Sequence, residues 1–370
     1  MTLRAVFSWF ILRYLRFFAR WQLKKINPDI IGVTGSVGKT STTLAIGAIL
    51  KTKYQTKICS GMNSESGIPL NILGLKLVNY SAWDWLRVML LAPVMILINW
   101  RKYEKYVVEM GVDEPKSPRN MEYLLTIVRP RVGVWLNVAP VHTQQFGSVE
   151  AIATEKGKLI AQLPDNGIAV LNKHDPLVWQ WSKKTKAQVI SFTDDAAAAV
   201  GKVFGINEKV DFKLPPGRMS LIPGIKNSLI IDSSYNASRE SMFMALRVLG
   251  SYKNRRKIAV LGDMRELGDL AKQEHEAVAE EASKVADVIV TVGPLMKQYL
   301  RAKYSFMSSR EAGRFINDKL IQEGDVILVK GSQNTIFLEI VVEMLMQHPE
   351  QADELLCRRG KYWDKIRAAI

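Results

Sequence analysis

Asp29-Ile30-Ile31-Gly32-Val33-Thr34-Gly35-Ser36-Val37-Gly38-Lys39-Thr40-Ser41-Thr42-Thr43-Leu44-Ala45 opens as an apolar strand, turns through a glycine loop and closes as the first turns of a helix. Glycines let the backbone curl until several N–H groups aim at one anion, and the helix N-terminus adds partial positive charge. The spacing predicts a phosphate cradle in which Gly35, Ser36, Gly38, Lys39, Thr40 and Ser41 bind nucleotide. Lys39 is placed to reach the β/γ-phosphates, and the hydroxyl of Thr40 or Ser41 to ligate Mg2+. The usual first glycine of such a loop falls on Val33, with Gly32 one place early. A bare Gly-Lys-Thr also occurs in ordinary strand-to-helix turns; the strand before it and the helix after it favour the nucleotide.

Working outward, strands and helices alternate. Tyr106 to Gly111, Val132 to Asn137 and Gly167 to Asn172 read as strands, and Ser148 to Leu163 as a helix. That alternation predicts an α/β domain with a mostly parallel sheet, whose ligands sit at the carboxyl ends of the strands. The phosphate loop, Glu109, Asn137 and His142 all fall at such ends. From about Ala196 to Leu214 the chain turns alanine-rich and then polar, closing on Pro215-Pro216-Gly217, and reads as an inter-domain stretch. Ser228 to Asp232, Lys257 to Leu261, Val288 to Val292 and Val326 to Val329 are strand candidates of a smaller Rossmann-like domain, with helices at Glu240 to Leu249 and Ala271 to Lys284. The expected division is 1–28, a basic helix; 29–207, a P-loop central ATPase domain; and 208–370, the C-terminal domain.

Length and composition agree with this. A chain of 370 residues, 48% hydrophobic and 24% charged, is globular and long enough for two cores. Two distant cysteines, Cys59 and Cys357, exclude a disulfide scaffold and fit a reducing, cytoplasmic compartment. Four histidines without ligand spacing exclude a structural zinc site. The net charge of +15 favours anionic partners, yet no nucleic-acid-reading module is present, so no nucleic-acid partner is expected.

Arg13, Arg16, Arg20 and Lys24 recur at steps of three and four, which lines them along one helical face, with Phe10, Leu12, Phe17, Phe18 and Trp21 largely elsewhere. Two readings stay open for this helix: peripheral contact with the inner membrane face, or packing on the nucleotide-binding domain. A second apolar run, Val88 to Trp100, contains Pro93 and is too short to span a bilayer; it reads as a hairpin dipping into the interface or as a buried insertion.

Further motifs add up to a family. They are Asn63 with Gly67-Ile68-Pro69-Leu70; Val108-Glu109-Met110-Gly111; Asn137, His142 and Phe146-Gly147-Ser148; and Glu155-Lys156-Gly157. The second domain adds Pro216-Gly217-Arg218-Met219, Asp232-Ser233-Ser234-Tyr235-Asn236-Ala237, Gly262-Asp263-Met264-Arg265-Glu266-Leu267-Gly268 and Lys330-Gly331-Ser332. With the phosphate loop, and over roughly residues 29 to 345, the chain resembles the Mur ligases, ATP-dependent amide-forming enzymes of peptidoglycan synthesis, and most of all their D-Ala-D-Ala-adding branch.

The resemblance implies ATP and Mg2+ as cofactors and an acyl-phosphate route. It implies metal ligation by Thr40, Glu109, His142 and Lys156, the last as a carbamate; Lys158, two residues on, is the competing lysine. It places Asn137, Arg218, Asp232 and Asn236 on the nucleotide, and makes Lys39, His142, Lys156 and Arg218 the catalytic set. Asp263, Glu266, Lys330 and Ser332 would line the incoming amine or the closed cleft.

Members of that family carry a UDP-sugar-binding domain ahead of the phosphate loop, whereas 28 residues precede Asp29 here. The expected substrates are therefore a small-molecule or lipid-linked peptide precursor and an amino acid or dipeptide, with a partner chain supplying a sugar-binding domain. Other departures are the reduced segment Asp194 to Ala199, Ser233-Ser234 and Ser238-Arg239 around the Tyr-Asn-Ala motif, and Gln333 after Lys-Gly-Ser. Two alternatives stand beside the wall-precursor ligase: the same chemistry on a folate or poly-γ-glutamate, and a non-catalytic ATP-binding partner of wall assembly at the membrane.

Overall fold

Short apolar runs separated by helices build two six-stranded sheets. The computed structural model describes residues 3–78, 80–140, 143–332 and 336–368, without the side chains of residues 3–7 and 368. The chain forms two compact units, Met1–Phe212 and Lys213–Ile370.

The first sheet comprises β1 (Asp29–Thr34), β2 (Thr56–Cys59), β3 (Lys105–Glu109), β4 (Val132–Trp135), β5 (Ile168–Asn172) and β6 (Gln188–Phe192), in the order β2-β3-β1-β4-β5-β6. Every pairing is parallel. β1 and β3 are apolar almost throughout because both their faces are covered. On one face α1 (Leu3–Ile26) and the helix Val149–Ala161 contribute Leu12, Ala19, Leu23, Ile152, Leu159 and Ile160 to the core. On the other, α2 (Lys39–Lys51) packs Ile46, Ile49 and Leu50 against Ala196, Ala197 and Val200.

Those alanines belong to the first unit. Ala196–Val203 is a helix of the first unit, started by Asp195, whose Oδ1 accepts the Ala198 N–H at 2.8 Å. Its small side chains let it lie close on α2, and the polar stretch that passes to the second unit comes after it.

α3 (Gly67–Leu73) and α4 (Ala82–Ile98) precede β3. α4 is one continuous helix, not a hairpin, despite Pro93. Proline cannot donate to the carbonyl four residues back. Here that carbonyl, Met89 O, accepts the Tyr14 hydroxyl of α1 at 3.0 Å. α1 also closes the far end of α4: Gln22 Nε2 donates to Asn99 O at 2.8 Å and Lys25 Nζ to Ile96 O at 2.7 Å. Ile11 and Leu15 of α1 share a core with Leu70, Leu73, Val88, Ala92 and Ile96. One face of α1 is therefore packed on the domain, and its Phe10, Phe17 and Trp21 stay exposed. Among the described residues no helix is long and apolar enough to cross a membrane.

The second sheet comprises β7 (Ser220–Pro223), β8 (Leu229–Ser233), β9 (Lys257–Gly262), β10 (Val288–Val292), β11 (Tyr304–Phe306) and β12 (Val326–Lys330), in the order β11-β10-β9-β12-β8-β7. It is parallel except where β7 runs against β8. Apolar clusters cover both its faces. The molecule is thus α/β in both units, with the carboxyl ends of each sheet free to carry loops.

Candidate active site

β1 ends at Thr34 between β3 and β4, with Val33 opposite Glu109 and Thr34 opposite Trp135. That register delivers the phosphate loop, Glu109 and the segment after Trp135 to one place. Gly38 precedes α2 at φ 86°, a conformation an L side chain adopts only with strain, and no side chain caps the helix. The first N–H groups of α2 lack intrahelical partners by construction, which suits an anion. Ser36 and Val37 are held differently: their N–H groups donate to Asn137 Oδ1 at 3.1 and 2.8 Å, and Asn137 Nδ2 donates back to Val37 O at 3.0 Å. Asn137 therefore braces the loop. Ser36 Oγ adds a bond to Ala139, accepting its N–H at 2.9 Å. Lys39 folds back, its Nζ donating to Gly35 O at 2.9 Å and Ser36 O at 3.1 Å.

Thr40 Oγ1 donates to Glu109 Oε2 at 2.9 Å. The same carboxylate accepts the Gly61 N–H at 3.1 Å and Asn63 Nδ2 at 2.9 Å. Glu109 is buried, and its described partners are all neutral. A buried carboxylate met by neutral donors alone keeps much of its charge uncompensated. A hydroxyl and a carboxylate side by side are hard oxygen donors, the set Mg2+ prefers, so these residues fit that ion. Among the described residues, three or more histidine, cysteine or acidic side chains do not gather into a metal cluster. His142, the expected third ligand, lies outside the described residues.

The two competing lysines occupy different surroundings. Lys156 is almost fully buried, and its Nζ donates to Gly35 O at 3.2 Å, under the phosphate loop. Burial, reinforced by the nearby charge of Lys39, pushes its pKa down to about 7. Lys158 instead bonds Glu155 at 2.9 Å and lies 3.7 Å from Glu122; these carboxylates raise its pKa despite some burial. An amine about half neutral near pH 7 has a free lone pair with which to react with carbon dioxide, whereas an ion-paired ammonium does not. Ser41 follows Thr40 on the half-buried side of the first turn of α2.

In the second unit, parallel register places Ser233, Lys330 and Gly262 at neighbouring strand ends. Lys330 is buried; its Nζ donates to Ser233 Oγ at 3.1 Å and Asn236 O at 2.9 Å, and burial takes its pKa to about 7. Gly217, at φ 74°, turns the chain so that the Arg218 guanidinium lies 4.1 Å over the Tyr235 ring. Asn236 is exposed.

Asp232, expected beside the nucleotide, is fully buried and presents no surface to a ribose. As the penultimate residue of β8 it points into the fold, where Oδ1 accepts the Ser234 N–H at 3.0 Å and Oδ2 has no partner. Burial raises its pKa to about 6. Beneath it Arg358 pairs with Glu339 at 2.7 Å and donates to Ser234 O and Tyr235 O, bracing the Ser-Ser-Tyr turn from below.

Asp263 and Ser332 knit loops together rather than standing free. Asp263 Oδ1 accepts the Met296 N–H at 2.7 Å, and Ser332 Oγ accepts the Arg265 N–H at 3.1 Å. Glu266 sits at a positive φ of 62°. Gly61 and Ser233 were not legible as site residues. Their roles come from a backbone N–H and a short hydroxyl, which carry no spacing signal.

Two family models match the chain: "Mur ligase middle domain" over residues 33–214 and "Mur ligase, glutamate ligase domain" over 217–333. UDP-N-acetylmuramoyl-tripeptide–D-alanyl-D-alanine ligase of Escherichia coli is 26% identical, over 87% of this chain and 78% of its own. The Bacillus subtilis enzyme of the same name is also 26% identical, over 90% and 79%. The MurF ligase of Thermotoga maritima, solved in complex with ADP, shares the fold at a TM-score of 0.74 and 24% identity, covering 92% of this chain and 84% of that one. Escherichia coli FolC, solved with DHPP and ADP, is more distant, at a TM-score of 0.58 and 15% identity over 90% and 91%. With the two models together spanning most of its length, the chain belongs to the Mur ligase family.

Proposed function

We propose that this chain is an ATP-dependent, ADP-forming ligase of peptidoglycan precursor synthesis, joining a D-alanyl-D-alanine-type amine to a precursor carboxylate. The reading is carried by one observation: Lys39, Lys156 and the Thr40–Glu109 pair converge on the loop at Gly35. The relatives named for D-alanyl-D-alanine ligation support the choice of substrates.

A carboxylate does not acylate an amine in water. Its oxygen first attacks the γ-phosphorus of ATP, giving an acyl phosphate and ADP; the amine then attacks the carbonyl, and inorganic phosphate leaves with the original carboxylate oxygen. Both transition states gather negative charge, so the site needs cations more than a nucleophile. Lys39 would swing from the carbonyls of Gly35 and Ser36 to the β/γ-phosphates. Thr40 and Glu109, with His142, would hold Mg2+, which when bound neutralises phosphate charge. Lys156 as its carbamate would orient that ion, and Asn137 keeps the loop in shape. In the second unit Arg218 is assigned to the γ-phosphate and Asn236 to the nucleoside, with Asp232 holding the turn that carries Asn236. Reliance on ATP and reduced cysteines fits a cytoplasmic site of action.

Positional isotope transfer tests this. With a precursor labelled by 18O in its carboxylate, ATP and D-alanyl-D-alanine, one 18O should appear in phosphate per amide formed. Phosphate without label, or ATP cleavage indifferent to the acid and amine supplied, would overturn it. Nucleotide binding with no turnover on any wall or folate pair would point to the non-catalytic alternative.

A further inference from the structure

α1 and α4 leave an apolar face uncovered. On α4, Val88, Ala92 and Ile96 face the core, while Trp83, Leu86, Leu90, Val94 and Leu97 form a stripe on the other side at steps of three and four. Trp83 is 79% exposed, Leu97 72%, and Trp100, just past the helix, 69%. Around α1, Tyr14 and Phe18 pack toward α4; next come the exposed Phe10, Phe17 and Trp21; beyond these stand the exposed Arg13, Arg20 and Lys24. The aromatic and cationic rows are offset by three residues along the whole helix. Tyr14, Phe18 and Trp21 form an unbroken ladder of ring contacts, and Lys25 lies 3.5 Å over the ring of Trp100 at the end of α4. Large exposed apolar side chains gathered in rows on two packed helices mark a docking site.

Charge selects the occupant. The 28 residues before Asp29 carry Arg4, Arg13, Arg16, Arg20, Lys24 and Lys25 and no acid. From Lys76 to Lys102 the one acid is Asp84, which is buried and paired with Arg87 at 2.9 Å. Arg16 alone of the α1 row turns inward, its guanidinium over the Tyr123 ring. A second copy stacked on this face would set these cations against their own images with no acid to neutralise them. A bilayer offers hydrocarbon for the Leu and Trp side chains and phosphates for the Arg and Lys, and neither helix crosses it.

We infer that α1 and α4 together form a docking face for an anionic lipid bilayer, on which the protein lies with α4 and the α1 aromatic row at the headgroup–acyl boundary. Arg13, Arg20, Lys24, Arg101 and Lys102 then meet lipid phosphates. This holds or fails apart from ligation, since none of these side chains belongs to the phosphate-loop cluster.

The test is sedimentation of the full chain with phosphatidylglycerol-containing vesicles. Binding should fall at least fivefold on pure phosphatidylcholine vesicles or at 0.5 M salt. The double variant Leu90→Glu/Leu97→Glu, at exposed positions and with an unchanged melt, should lose at least tenfold. Arg13→Ser/Arg20→Ser/Lys24→Ser should lose severalfold and flatten the salt dependence. No binding to the anionic vesicles, or equal binding by the Leu90→Glu/Leu97→Glu protein, would overturn the inference. So would a dimer in solution that the same variant dissolves, which would give the face to a second copy.

Discussion

Lys156 and Lys330 are a matched pair of opposites. Each is a buried lysine beside the carboxyl ends of a parallel sheet, one per unit, and burial brings each pKa to about 7. Lys330 is tied to a hydroxyl and a carbonyl; the Arg218 charge lowers its pKa further and Asp232 raises it in part. Lys156 has one described hydrogen bond, to Gly35 O, and its strongest charged influence is another cation, Lys39. A buried amine that is bonded on several sides behaves as a strut. One left with a single acceptor is held ready for something more.

The largest effect that separates the two is on turnover. Lys156→Ala should lower ligation by three orders of magnitude or more while nucleotide binding persists, and short carboxylates should restore part of the rate. Lys158→Ala should stay within twofold. Rescue of Lys330→Ala by the same carboxylates would erase the distinction. Next, Glu109→Gln keeps an acceptor for Gly61 and Thr40 but removes the charge. It should raise the Mg2+ concentration for half-maximal activity about a hundredfold, about 3 kcal/mol, in a titration of ADP release. Asn137→Ala frees the Val37 N–H, leaves the Ser36 N–H only the backbone carbonyl of residue 137, and loosens the loop; calorimetry should show ATP affinity about tenfold weaker.

The remaining effect belongs to the second unit and is read in stability, not in turnover or binding. Asp232 has its pKa raised to about 6, so the folded state holds that proton more tightly than the unfolded chain does. Its favourable contribution is full below about pH 4, declines through pH 6 and is gone above, at most about 3 kcal/mol. Asp232→Asn should remove that slope from melting temperatures measured between pH 4 and 7. An unchanged slope would mean that the ionised carboxylate finds a partner.

Where the fold was legible, the signal was local. Asp29 to Ser41 holds strand, loop and helix in consecutive residues. Where it was not, the deciding contact was distant. Val88 to Trp100 read as a hairpin or a buried insertion, and α4 runs on through Pro93 because the hydroxyl that satisfies Met89 O comes from Tyr14, 75 residues earlier. Asp232 was placed on the nucleotide by the family resemblance; in the structure β8 turns it inward, near Arg358 from the far end of the chain.

The way Tyr14, Gln22 and Lys25 finish the hydrogen bonding of α4 bears on how the protein should be handled at the bench. An expression clone trimmed to begin near Asn27, as one would trim a leader, would strand three carbonyls and strip the lid from Leu70, Leu73 and Ile96. The shortened product should precipitate through misassembly, an outcome easily misread as proof of a greasy anchor.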